Sequence, residues 1–344
     1  MKCMMYRMII LFSEQTTENK KVSDNWIYVF NGVKMIHIIM CTYNGEKYIE
    51  EQLQSILENT VTDWKLYISD DRSADNTNKI VNEYVQRYPE KISLITHDNP
   101  CGSALHFLEM VKAVSKSMKG DDFIMLCDQD DIWYSNKIYL TLEHMRRLIM
   151  KNGNTIPLLV CSDVEVVDKK KVQIAESFRR MNHYSIKKLD FSHLLMENKV
   201  QGCTVMVNRA LARKIYELPK ALSMHDAWMG LIAVTMGKID YIDGPTMAYR
   251  QHASNEKGSI AFRKVIFEQF RNMNAQKYTV YNQASQAQEF LRIYGNELDK
   301  RDRKIAEVFS TLEQQKFFER RKNIIKYHMW KTGIVRNTGL LFLI

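Results

Sequence analysis

The chain has 344 residues, enough for two domains or for one large α/β domain with an appendage. Apolar residues make up 45% and charged residues 26%, which excludes a disordered or collagen-like chain; five prolines and thirteen glycines leave no Pro- or Gly-rich linker. The net charge of +9 points to a polyanion, whether nucleic acid, an acidic membrane surface or a phosphorylated substrate.

That charge is unevenly placed. Glu256 to Ile344 carries 17 basic and 9 acidic residues, net +8, whereas Met1 to Asn255 carries 32 and 31, net +1. None of the six cysteines has CxxC spacing, and Cys41, Cys127, Cys161 and Cys203 sit in or beside short apolar runs. Free thiols acting as small hydrophobes, in a reducing cytoplasmic compartment, are the expectation. No window has the uninterrupted apolar length of a transmembrane helix. The start, MKCMMYRMIILF followed by a polar stretch, is a poor signal peptide, and residues 1–34 read as an upstream extension, as a mis-chosen start codon would give.

Met35–Thr42 is a nearly continuous apolar run, as for a strand buried on both faces. Ile49, Leu53, Ile56 and Leu57 form a helical stripe over Glu46–Glu58. Lys65–Ser69 reads as a strand, Asp75–Tyr88 as a helix, Lys91–Thr96 as a strand, Gly102–Lys119 as a helix and Phe123–Cys127 as a fourth, buried strand. This alternation predicts a parallel sheet with helices on both faces, where ligands bind beyond the carboxyl ends of the strands. The first strand runs into Tyr43-Asn44-Gly45, the second into Asp70-Asp71-Arg72-Ser73 and the fourth into Asp128-Gln129-Asp130-Asp131. Further on, Lys137–Met150 and Met224–Met236 read as helices. Leu158–Cys161, Cys203–Val207, Lys238–Ile242 and Thr246–Arg250 read as strands, and Ser259–His328 as helical and basic.

Three carboxylates within Asp128–Asp131 repel one another and call for a cation. Hard oxygen ligands suit Mg or Mn, which would screen a diphosphate and stabilise its departure. A solvated acidic turn is the bland alternative, and the position after a buried strand argues against it. Asp70-Asp71 suits a base and ribose, although turn chemistry explains one of the two, Asp70 by preference. Tyr43 suits stacking on a base or plain packing. Asp226, opening the Met224–Met236 helix, suits either a helix cap or a base that deprotonates a hydroxyl. His252 suits a further metal ligand, and the Gly202-Cys203 turn a close approach by a sugar.

Together these segments resemble the family-2 glycosyltransferases of the GT-A fold. CTYNGEKYIEEQLQSIL, SDDRSADNT, DNPCGSALHF, CDQDDIWYSNKI and HDAW occur in that family's order, and YRQHASN is similar to a segment of its bacterial rhamnosyltransferase-like subgroup. The resemblance spans Met35 to about Asn255. It implies a GT-A, Rossmann-like, mostly parallel sheet flanked by helices over 35–255, and an inverting transfer of a sugar from a nucleotide diphosphate donor. Thr42, Tyr43, Asn44, Glu46, Asp71 and Asp128 would meet the nucleotide. Asp130 or Asp131, with His252, would hold the metal, Asp226 would be the base, and Gly202, Cys203, His225 and Trp228 would face sugar or acceptor. His106 departs from the Asn that many relatives carry there. A dTDP- or UDP-linked donor and a polyprenyl-diphosphate-linked acceptor are implied. A nucleotidyltransferase or a non-catalytic assembly subunit is the alternative, and nucleic acid is disfavoured by the acidic strand ends.

Residues 256–344 form the remaining unit, a basic helical C-terminal extension. Arg320–Ile344 lacks acidic residues and interleaves Ile324, Ile325, Trp330 and Ile334 with basic ones. It reads as a helix lying on the cytoplasmic face of the membrane, with packing against the catalytic part as the alternative.

Overall fold

The computed structural model describes residues 35–96, 100–186, 189–252 and 273–343. The proposed extension 1–34 and Ala253-Ser254-Asn255 lie outside them. Strands β1 (Ile36–Thr42), β2 (Trp64–Asp70), β3 (Ile92–Thr96) and β4 (Phe123–Cys127) are parallel, in the order β3-β2-β1-β4. They alternate with α1 (Ile49–Leu57), α2 (Thr77–Arg87) and α3 (Ser103–Ser115). The expected mostly parallel α/β half is therefore present. Its period-2 side chains feed two cores: Ile36, Ile38 and Met40 face the layer containing α1, whereas Ile39 faces that containing α3.

The second half extends the sheet with a change of direction. β8 (Met206–Asn208) runs antiparallel to β4, β6 (Leu158–Asp168) antiparallel to β8, and β9 (Lys238–Gln251) parallel to β6. β5 (Ile132–Trp133) closes the edge on β9, and β7 (Gln173–Ala175) pairs with β6. The two expected strands Lys238–Ile242 and Thr246–Arg250 are one bent strand, whose ladder with β6 shifts register between Ser162 and Glu165. Cys203 does not open a strand: Gly202–Thr204 is a 3-10 turn and pairing begins at Met206. The remaining helices before the C-terminal region are α4 (Lys137–Asn152), α5 (Phe178–Met181), α6 (Phe191–Met196), α7 (Arg209–Lys214) and α8 (His225–Met236).

The C-terminal region is helical as expected: α9 (Met273–Tyr294), α10 (Lys300–Ser310), α11 (Phe317–Lys326) and α12 (Ile334–Leu343). The charge step near Glu256 is not matched by a separate core. Phe290, Tyr294, Phe309, Ile324, Met329 and Leu340 are buried in the same cluster as Ile39, Leu126 and Trp228. The Trp228 indole meets Phe290 and Tyr294 at ring-centroid distances of 5.3 and 5.8 Å. Trp228 is fully buried there, so the expectation that it faces sugar or acceptor is corrected. The membrane stripe changes too. Ile324 is buried and Trp330 packs on the core, while Phe317, Phe318, Ile325, Ile334, Val335 and Phe342 are exposed. Among the described residues, no helix is long and apolar enough to cross a membrane.

Emptying the Phe290 position removes an aromatic anchor between α8 and α9. Phe290→Ala is expected to destabilise the whole protein by about 3–5 kcal/mol in a urea melt. A melt in which the transition of the 35–252 part stays unchanged would contradict the shared core.

Candidate active site

The register of the sheet brings the loops to one edge. Thr42 stands opposite Asp70 and Met40 opposite Cys127, so β1, β2 and β4 release their chains at one level. The β1 and β2 loops are tied by hydrogen bonds. Asp70 accepts from Thr42 Oγ1 (2.8 Å), Ser73 N (2.8 Å), Ser73 Oγ and Asn78 Nδ2 (2.8 Å). Asn44, at a φ of 48° that asparagine tolerates, donates its N–H to Ser73 and accepts from Ala74 N–H. Glu46 Oε2 accepts from the Asn76 backbone and side chain. Thr42, Asn44 and Glu46, expected at the nucleotide, thus have side-chain groups committed to these loops; buried Thr42 is corrected to a structural partner of Asp70.

Tyr43 and Asp71 differ. Tyr43 is 59% exposed at the mouth of the crevice. Its backbone is gripped from both sides by Gln129, which accepts from Tyr43 N–H (3.0 Å) and donates to Tyr43 C=O (2.9 Å). Gly45 is needed beside this clamp, since a Cβ would lie 2.3 Å from Gln129 Oε1. Asp71 Oδ2 accepts from Gly102 N–H at 3.2 Å, while its buried Oδ1 has no hydrogen-bond partner among the described residues. A buried acceptor left open beside an exposed ring is what a base with N–H groups requires. Gln129 was missed from sequence because an amide between aspartates reads as a spacer.

The acidic segment after β4 divides its labour. Asp131 is fully buried and accepts from Arg250 N–H at 3.2 Å. Its carboxyl is pushed well up by burial and by Asp130 and Asp128. The fully buried Lys137 lies near this cluster, its amine over the Trp133 ring and bonded to Thr246 Oγ1 at 3.1 Å. Burial lowers that amine to about 8, against the pull of neighbouring acidic groups. Ligand atoms of Asp128, Asp131 and Cys203 lie within 4.8 Å of one another. Cys203 is thus buried under the acidic loop, with its thiol pushed up by burial and by Asp131 and Asp128, and the expectation that it faces the acceptor is corrected.

Asp130 has a different partner. Its Oδ2 is 2.9 Å from His252 Nε2, and the His252 ring stacks on Tyr48 at 4.7 Å. Arg250 braces this corner: its Nε donates to Asp130 C=O (3.0 Å), its guanidinium covers Tyr48 (4.8 Å), and it is paired with Glu51. Burial opposes the Glu51 charge, yet hydrogen bonds from Lys171 and Arg250 hold its carboxyl below the usual range. Asp130 and His252 are hydrogen-bonded to each other here; freed from that bond, a carboxylate and an imidazole are the two side-chain donors this corner could offer a divalent ion.

Asp226 reaches the same edge by another route. Met125 pairs with Met206 and Leu126 N–H donates to Val205 C=O, which continues to Cys203 beside Asp128. Gly202 is one residue further, and its N–H donates to Asp226 Oδ2 at 2.9 Å. His225 is buried and stacks on Phe107 at 4.3 Å, so its expected contact with acceptor is corrected to packing. Its ring crowds Gly202, where a Cβ would lie 2.4 Å from Nε2.

With this geometry in view, the comparisons give the class. Residues 37–214 match the family model "Glycosyl transferase family 2". The chain belongs to that family and is a glycosyltransferase. It is 32% identical over 234 residues to the dTDP-rhamnosyl transferase RfbG of Shigella flexneri, covering 65% of this chain and 75% of that one. It is 26% identical over 205 residues to the putative teichuronic acid biosynthesis glycosyltransferase TuaG of Bacillus subtilis (59% and 73%). Two uncharacterized Rickettsia glycosyltransferases match over 61% of their own length. Among solved structures, S. aureus TarS 1-349 with UDP-GlcNAc aligns at a TM-score of 0.48 and 14% identity, over 81% of this chain and 80% of that one.

The two neighbouring aspartates are expected to separate on mutation. Asp71→Asn weakens nucleoside diphosphate binding roughly tenfold or more with little change in melting temperature, whereas Asp70→Ala destabilises by about 1–3 kcal/mol. Titration calorimetry and thermal melts on both variants check this; equal losses of binding at unchanged stability would refute the division.

Proposed function

We propose that this protein transfers a sugar, rhamnose or a hexose, with inversion, from a dTDP- or UDP-linked donor to a hydroxyl of a lipid-linked cell-surface glycan. The observation that carries the proposal is the convergence, at one sheet edge, of the open Asp71 acceptor, the Asp130–His252 pair and the Asp226 carboxylate. The name of the Shigella relative favours a dTDP-linked deoxy sugar.

In this reading Tyr43 stacks on the base, Asp71 accepts its N–H and Asp128 lies toward the ribose. Asp130 and His252 would hold a divalent ion, Mg or Mn, whose charge would offset that of the departing diphosphate. Asp131 is not proposed as the outer ligand, because it is fully buried with Oδ1 on the Arg250 N–H. Asp226 takes the proton of the acceptor hydroxyl as that oxygen bonds to the anomeric carbon, and the bond to the diphosphate oxygen breaks on the opposite face. One displacement without a covalent enzyme intermediate inverts the centre, unlike the double displacement of retaining hydrolases. Asp226→Asn is expected to lower transfer roughly 10²–10⁴-fold while nucleoside diphosphate still binds. Asp130→Ala is expected to abolish stimulation by Mn, read as loss of nucleotide release with metal titration. Full transfer by Asp226→Asn, or unchanged Mn dependence in Asp130→Ala, would defeat the respective assignment.

A polyprenyl-diphosphate-linked acceptor would be met at the cytoplasmic membrane surface. What supports this is the exposed pair Phe317–Phe318 with Ile325 on α11, flanked by exposed Lys316, Lys322 and Lys326. Arg321 covers the Phe317 ring at 3.2 Å, so cation and apolar surface share one face. Phe317→Ser with Phe318→Ser is expected to weaken sedimentation with anionic phospholipid vesicles while activity on a soluble acceptor persists. Unchanged vesicle binding would remove the membrane from the proposal.

A further inference from the structure

Asp226 is tightly held for a residue proposed to receive a proton. The side chain is 6% exposed. Its Oδ1 accepts from Asn198 Nδ2 (2.8 Å) and Ala227 N–H (2.7 Å), and its Oδ2 from Gly202 N–H (2.9 Å). A carboxylate oxygen has about two lone-pair directions. Among the described residues, Oδ1 is therefore filled and one direction remains on Oδ2. Of the three donors, only Asn198 is a side chain. Its amide orientation is set by the structure, because Oδ1 of Asn198 accepts from Val200 N–H at 3.0 Å and leaves Nδ2 for Asp226.

Asn198 lies in a segment without regular secondary structure, between α6 and the 3-10 turn, and needs anchoring from outside. The preceding residue supplies it. Glu197 is buried, and its Oε2 accepts from Thr332 N–H (2.9 Å) and Thr332 Oγ1 (2.6 Å). Its Oε1 is ion-paired with Arg336 Nη2 at 2.6 Å. Thr332 lies in the bend just before α12 and Arg336 in its first turn, more than a hundred residues along the chain. On the other side Val200 rests against Gly230 of α8, where an added Cβ would lie 3.1 Å from Val200 Cγ2. The stretch 197–200 is thus pinned at Glu197 by the C-terminal helix and at Val200 by α8, with Asn198 between the pins.

We propose that Asn198 is the positioning residue of the Asp226 carboxylate, and that α12 holds Asn198 in place through Glu197. The inference rests on the reading of Asp226 as the base. It gives the C-terminal region a role in the reaction beyond docking: its clamp on Glu197 sets the direction of the remaining Oδ2 lone pair.

The test measures nucleoside diphosphate release from dTDP-rhamnose and UDP-glucose with a synthetic polyprenyl-diphosphate glycan, alongside binding of dTDP and UDP with Mn. Asn198→Ala is expected to lower kcat roughly 10- to 100-fold, the scale of a misplaced reacting group, with donor KM and nucleotide binding unchanged. Asn198→Asp keeps the size and the acceptor for Val200 but sets a second carboxylate against Asp226 in place of the N–H, and is expected to lower kcat and to move the acid limb of the kcat pH profile upward; a merely structural role would leave the profile of the folded Asn198→Ala variant and of this one unmoved. Thr332→Val with Arg336→Met, full-length and away from the crevice, is expected to lower kcat in the same way by a smaller factor, and this pair decides the matter if the Asn198 variants do not fold. Unchanged kcat in folded Asn198 variants, or in the clamp variant, overturns the inference. Asp226→Asn run beside them separates the two ideas: if it is inactive while the Asn198 and clamp variants are fully active, the positioning role fails and the base assignment stands. If Asp226→Asn is fully active, the base assignment itself fails.

Discussion

Like charges held close together at the end of a buried strand are the constraint around which this site is built. Carboxylate oxygens of Asp128 and Asp131 come within 4.8 Å of each other. Two full charges at that range would repel by roughly 3–4 kcal/mol even at an effective dielectric near 20, which together with burial is why the Asp131 carboxyl is pushed well up toward its neutral form. The protein answers from within. Lys137 brings a buried amine near the cluster, and Arg250 gives its backbone N–H to the Asp131 carboxylate and its Nε–H to the Asp130 backbone carbonyl. Asp131 is held in the interior, and Asp130 is bonded to His252. In a sequence DQDD the two aspartates are interchangeable; in the fold Asp131 is fully buried against the Arg250 N–H, while Asp130 is partly exposed and bonded to His252.

The same economy governs the rest of the edge. Asp70 spends its lone pairs on the loop that presents Asp71, and Gln129 spends its amide on the backbone that presents Tyr43. Each group available to a ligand is supported by an adjacent group that is not. Asn198 stands in this relation to Asp226, with its support reaching to α12.

The C-terminal helices deserve a different description from the one their charge suggests. Their basic residues are mostly outward, but their apolar stripes complete the core that α3 and α8 share. The exposed apolar residues that remain cluster partly on α11, where a membrane surface is the proposed occupant. Charge composition identified the region and said nothing of its inner face, because net charge sums over surface and ignores which side of a helix is buried.

The sequence by itself determined the alternation of strands and helices through Cys127, and with it the edge where ligands gather. Continuous apolar runs and helical stripes are local signals, and the connection rules for parallel strands leave few topologies. It also marked Asp71, the Asp128–Asp131 segment, His252 and Asp226 as chemistry-bearing positions. Only the tertiary structure decided which way each side chain points. Trp228, His225 and Cys203 lie in motifs that suggest a surface facing the acceptor, yet the first packs on Phe290, the second on Phe107, and the third sits beneath the acidic loop. Gln129, Arg250, Lys137 and Asn198 show no pattern in the sequence, since the site partners they reach lie 28 to 199 residues away. A motif records neighbours along the chain, whereas an open lone pair depends on every donor that folding brings to it.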